Sequence, residues 1–214
     1  NGDVNLSVID KYADWIASTP IKGVFVCGTT GEFSSLAIDE RKLILEKWLV
    51  SARKRFKVIA HVGSNCQRSA MELARHAAQV GADAIASIAP SFFKPGTVDE
   101  LVDFFAPICH SAAGLPFYYY NMPSITGVNL PVDKFLVEGK KKIPNLVGTK
   151  FTHNNLMEMG VCIELEQHRF EVLHGYDEIL ISGLAMGAVA GVGSTYNYIP
   201  NVYQAIFDSM KMND

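Results

Sequence analysis

Ile143-Pro-Asn-Leu-Val-Gly-Thr-Lys-Phe-Thr152 is an apolar run with one lysine near its far end. If the run is a strand, Leu146, Gly148, Lys150 and Thr152 share a face, because side chains alternate sides along an extended backbone. Lys150 then points where a core residue would. A solvated lysine has a pKa near ~10.4, which leaves roughly one molecule in a few thousand neutral at pH 7. Burial beside apolar neighbours disfavours the ammonium and exposes a nucleophilic amine, the group that forms Schiff bases with ketones. The alternative is a lysine that carries its head out to solvent on its alkyl stem. This stretch alone leaves both open.

Other groups have chemistry to offer. Gly28-Thr29-Thr30-Gly31-Glu32 follows a predicted strand, with two glycines for a tight turn around two hydroxyls. Such a loop can cradle a carboxylate or a phosphate, or it is a plain glycine turn. In Leu115-Pro-Phe-Tyr-Tyr-Tyr-Asn-Met-Pro123, Tyr118 and Tyr120 fall on one side of a strand and Tyr119 on the other. A phenol near a cationic amine can relay a proton, although strand aromatics usually pack. Asp177 and Glu178, after Gly175, either serve a helix dipole or accept hydrogen bonds from a polyol. Gly193-Ser194-Thr-Tyr-Asn197 lets a ligand come close to backbone. Of the six histidines only His61 and His174 fall in predicted strands, without metal-ligand spacing, so no metal site is expected.

These groups need a scaffold. The chain has 214 residues, 49% of them hydrophobic, and a net charge of -3, enough for one domain with a substantial core. The charge balance gives no reason to expect nucleic acid or an anionic membrane as partner. Four dispersed cysteines, Cys27, Cys66, Cys109 and Cys162, read as free thiols of a reducing compartment, which points to the cytoplasm. These residues show no charged-then-apolar stretch of the secretory kind and no apolar run long enough to span a bilayer, so neither a leader nor a membrane span is expected within them.

Helices are expected at 6–18, 38–55, 68–80, 98–111, 132–139, 154–167, 178–186 and 201–210. Strands are expected at 21–27, 57–62, 82–89, 115–121, 146–151, 170–174 and 188–194. Strict alternation implies parallel βαβ units, and the candidate residues gather at strand ends, as in a (β/α)₈ barrel. The first element is a helix, so the chain reads as a TIM barrel lacking its first strand; the start at Asn1 without methionine suggests the same. A doubly wound sheet is the second choice, but its Gly-x-Gly-x-x-Gly turn is missing.

Together, Gly28–Glu32, Tyr120-Asn-Met-Pro-Ser-Ile-Thr-Gly127, Gly148-Thr-Lys-Phe-Thr152, Gly175-Tyr-Asp-Glu178 and Gly193–Asn197 resemble the N-acetylneuraminate lyase and dihydrodipicolinate synthase family of class I aldolases, especially its animal lyase branch. The resemblance implies a (β/α)₈ barrel without the family's C-terminal helices, and a homotetramer. It implies that Lys150 forms an imine with pyruvate or open-chain sialic acid without any cofactor, and that Tyr120 relays protons. Thr29 and Thr30 would hold the keto-acid carboxylate, with Thr152, Gly175, Asp177, Glu178 and Ser194 lining the sugar end. Ile125 stands where the synthases carry an arginine for a second carboxylate, which favours the sugar acid. Phe92 and Phe93 stand where many relatives present a tyrosine to the neighbouring subunit. Two other readings are a pyruvate aldolase for a different sugar acid or aldehyde, and a non-catalytic sugar-acid binder or scaffold.

Overall fold

The computed structural model describes residues 2–212. Seven parallel strands pair strictly in chain order: β1 (Gly23–Val26), β2 (Lys57–His61), β3 (Ala84–Ile88), β4 (Phe117–Asn121), β5 (Leu146–Phe151), β6 (Glu171–His174) and β7 (Ala190–Gly191). A doubly wound sheet would reverse its order partway, so consecutive pairing selects the barrel. Flat strands ~4.8 Å apart would hold β1 and β5 roughly 19 Å from each other. Instead the Phe25 ring centroid lies 4.5 Å from Lys150 Nζ. The sheet therefore curls round on itself, and its edges among the described residues are β1 and β7.

The helices follow the expected order: α1 (Val8–Ala17), α2 (Ile38–Ala52), α3 (Gln67–Val80), α4 (Val98–His110), α5 (Pro123–Thr126), α6 (Val132–Lys142), α7 (Leu156–Glu164), α8 (Leu180–Ala185) and α9 (Pro200–Met212). Val26, Val58, Ile85, Phe117, Tyr119, Phe151 and Val172 point outward from the strands into one apolar layer under them. Phe105 and Phe135 flank Tyr119 there, with ring centroids at 5.4 and 4.6 Å. Thr97 Oγ1 accepts from the Glu100 amide to cap α4, and Asn155 Oδ1 caps α7 through the Glu158 amide.

Several boundaries differ from expectation, each for a local reason. Helix α2 stops at Ala52 because Arg53 and Lys54 turn left-handed, at φ 49° and 60°, so the basic cluster lies past its end. Neither Asn5 nor Ser7 caps α1 conventionally; Asn5 Oδ1 instead accepts from the Ser7 amide and hydroxyl. The segment from Asp177 begins as a 3₁₀ turn, Asp177–Ile179, before α8, and the last strand shrinks to two residues. The four-residue α5, begun by Pro123 at its first position, was too short to show a period.

Strand β5 holds the main correction. Its register with β4 slips between Phe117 and Tyr118, pairing Phe117 with Leu146 but Tyr118 with Gly148. The extra residue turns Leu146 outward, where its Cδ2 would lie 3.0 Å from a Cβ at Gly139 of α6. Leu146 therefore does not share the face of Lys150. Gly148, beside this irregularity, is confined from the β6 side, since a Cβ there would overlap the Glu171 carbonyl oxygen. Gly148→Ala should cost about 3 kcal/mol in chemical denaturation. Gly114→Ala, where no atom lies within 4 Å of the added carbon, should stay within about 0.5 kcal/mol of the parent.

Candidate active site

Strand register brings Ile88, Tyr120, Lys150, Leu173 and Ala190 onto one inward-facing level. Lys150 is only 7% exposed. Its Nζ sits over two ring faces, 4.1 Å from the Tyr120 centroid and 4.5 Å from that of Phe25. Burial lowers its pKa from 10.5 to about 8, and the more distant Asp177 carboxylate opposes this weakly. About one molecule in ten is then neutral at pH 7, a gain of more than two orders of magnitude over a solvated lysine. Ring quadrupoles attract a cation and keep the amine from falling further toward permanent neutrality.

Tyr120, 2% exposed, lies at the hub. Its hydroxyl is 3.0 Å from Thr29 Oγ1 and donates to Met122 Sδ at 3.1 Å. Burial raises the phenol pKa, while Thr29 and Thr152 act to lower it. The Thr152 hydroxyl is buried close by without a hydrogen bond of full geometry. Gly175 passes directly over it, and a Cβ there would overlap Thr152 Oγ1. Tyr118, one level deeper, donates to the Glu171 carboxylate, and Tyr119 faces the helices.

Thr30 and Ser194 hydrogen-bond each other at 2.5 Å, joining the loop after β1 to the loop after β7. The resemblance implies a place for Ser194 at the sugar end; in the structure its hydroxyl meets Thr30 of the Gly28–Glu32 loop. Asp177 Oδ2 accepts from the Thr195 amide at 2.8 Å and hydroxyl at 2.7 Å. Its Oδ1 is buried without a partner beside Gly193, where any side chain would collide with it. Glu178 remains exposed at the rim. Lys150, Tyr120, Thr29 and Thr152 thus form one cluster, while Thr30, Ser194, Gly175 and Asp177 surround its mouth.

The loop glycines work differently from expectation. Left-handed geometry falls on Cys27 and Glu32, at φ 54° and 52°, not on Gly28 or Gly31. Gly28 is needed for room: a Cβ would come within 2.8 Å of the Phe25 ring. Sequence reasoning also passed over Phe25 and Met122, which touch the amine and the phenol. Alternation along β1 puts Phe25 on the inner face, and the curl of the sheet carries it across to Lys150.

An inward lysine, a neighbouring phenol and a hydroxyl loop at the strand ends of a parallel barrel are the equipment of an aldolase that uses an amine. The chain belongs to the dihydrodipicolinate synthetase family, whose profile matches residues 1–214; it is a lyase of the class I aldolase type. N-acetylneuraminate lyase of Homo sapiens is 41% identical over all of this chain and 68% of its own length. The Gallus gallus lyase is 46% identical over 93% of this chain and 66% of its own. The solved N-acetylneuraminate lyase of Proteus mirabilis superposes with a TM-score of 0.96 at 37% identity, covering 100% of this chain and 72% of that one.

Lys150 should label with a small amine-directed reagent at a rate that rises with pH and levels off above about pH 8, read by peptide mass spectrometry. Surface lysines should keep rising to about pH 10. Lys150→Met removes a charge whose burial opposes folding, so its melting temperature should equal or exceed that of the parent.

Proposed function

We propose that this protein cleaves N-acetylneuraminate to N-acetylmannosamine and pyruvate through an imine on Lys150. The observation that carries the reading is the Lys150 amine, poised near pKa 8 between the faces of Tyr120 and Phe25. The neutral amine attacks the C2 ketone of the open-chain sugar acid, and loss of water leaves a protonated imine. Removal of the C4 hydroxyl proton breaks the C3–C4 bond, and the electron pair enters the imine as an enamine instead of a bare carbanion. N-acetylmannosamine departs as the aldehyde; protonation at C3 and hydrolysis release pyruvate. The imine is itself the electron sink, so the reaction requires no cofactor.

Tyr120 is the proton relay, and its bond to Thr29 supports a path through that hydroxyl. This matters because Phe92 and Phe93, 78% and 87% exposed on the loop after β3, bring no hydroxyl. Thr29 and Thr30 receive the keto-acid carboxylate. Thr152, Gly175, Asp177, Glu178 and Ser194 bind the polyol, with the unpartnered Asp177 Oδ1 and Thr152 hydroxyl favouring a ligand rich in donors and acceptors. Ile125, 59% exposed on α5, suits a substrate with no second carboxylate there. We take the protein to act in the cytoplasm as a homotetramer, following its family; among the described residues no helix is long and apolar enough to cross a membrane.

Borohydride added with pyruvate should attach a reduced pyruvyl group to Lys150 and to no other residue, and Lys150→Met should gain none. An unmodified parent chain would end the imine mechanism. Asp177→Ala should reduce kcat/KM for sialic acid by about 10²-fold, the loss expected when hydrogen bonds to a charged group go unmade, and leave pyruvate trapping intact. Equal loss with short keto-acids would favour an aldolase for another substrate, and sugar binding without turnover would favour a binder.

A further inference from the structure

The Gly28–Glu32 loop rests on two buried residues that take no part in the chemistry above, Arg41 and His61. Arg41 is 4% exposed. Its Nη1 donates to the Gly63 carbonyl at 2.8 Å and its Nη2 to the His61 carbonyl at 2.7 Å, fastening α2 to the end of β2. The His61 ring uses both nitrogens. Nδ1 is 2.7 Å from the Cys27 carbonyl, which can only accept, so the proton lies on Nδ1. Nε2 then accepts from the Ile88 amide at 3.3 Å. Gly63 leaves space for the ring: a Cβ would stand 2.6 Å from His61 Nε2. Burial and the Arg41 charge push the imidazole pKa down to about 3, so it stays neutral in this role.

Cys27 begins the loop in a left-handed conformation that a non-glycine residue adopts only when its surroundings hold it there. The His61 bond to its carbonyl provides that hold. The far end is gripped by the same pair. Phe33 sets its ring edge-on to His61 at 4.5 Å, with the Arg41 guanidinium 5.3 Å from its centroid. His61 also meets the Phe25 and Tyr120 rings, both at 5.8 Å, so a single side chain touches the loop's two ends and the wall around the amine.

We propose that Arg41 and His61 are positioning residues: by clamping Cys27 and Phe33 they set where Thr29 and Thr30 meet the substrate carboxylate, and so control keto-acid affinity. The inference rests on the function proposed above, which places the carboxylate at those threonines. His61→Phe keeps an aromatic ring but removes the donor to Cys27. Arg41→Lys keeps the charge but loses the fork across two carbonyls. Phe33→Leu releases the far end from the loop side and is the mildest change for folding.

The test measures two things on the full chain of each variant that melts cooperatively. One is the pyruvate concentration giving half-maximal borohydride trapping at Lys150; the other is hydrogen exchange of peptides covering residues 28–33. Half-saturation should rise by about tenfold or more, as expected for displaced binding groups, with the trapped yield at saturating pyruvate unchanged. Exchange should quicken over the same residues. Variants that lose melting temperature but keep the parent's half-saturation and loop exchange would make the pair merely structural and overturn the proposal. If the parent itself is not trapped, the imine reading fails separately. Loop exchange then decides the clamp alone: faster upholds it and unchanged overturns it.

Discussion

The arrangement depends on holding one amine out of water without neutralising it completely. Deeper desolvation would push the Lys150 pKa further down, and a carboxylate in contact would fix the charge and quench the nucleophile. Two aromatic faces provide the middle course. They exclude water while leaving the cation an attractive surface, so both protonation states are populated near neutrality. The curl of the sheet follows as a requirement, because only a curved sheet brings a ring from β1 to a lysine on β5.

Much of this was legible in the order of residues. The regular exchange of strand and helix periods gave the barrel, and the two-residue alternation put Tyr118 and Tyr120 on the face opposite Tyr119. The inward aim of Lys150 followed from the same rule. The rule failed at Leu146, because a bulge adds a residue without altering the local pattern of apolar side chains. Helix ends at Arg53 and Lys54 were missed since left-handed turns there use residues with no strong preference for them. Arg41 and His61 were invisible as a pair: twenty positions apart, they meet only when α2 packs beside β2.

Glycines illustrate a second limit. Composition suggested that Gly28 and Gly31 supply unusual torsions, yet the unusual torsions fall on their neighbours. Gly148, Gly175 and Gly193 are needed because another chain segment already occupies the space a side chain would fill, and Gly28 because the Phe25 ring does. A sequence shows that an atom is missing; only three dimensions show what stands in its place.

The first and last loops of the sheet meet side chain to side chain through Thr30 with Ser194, and helix α1 meets the last loop through Tyr12 with Asn197. Such contacts break more readily than a ladder of main-chain bonds, so the seam is the place where the ring can part most easily. In the site proposed above, a ligand grasped on both sides would act there as a rivet. Occupancy and rigidity would then be linked, and the tighter the sugar acid is held, the more resistant the curled sheet would become to heat and proteolysis.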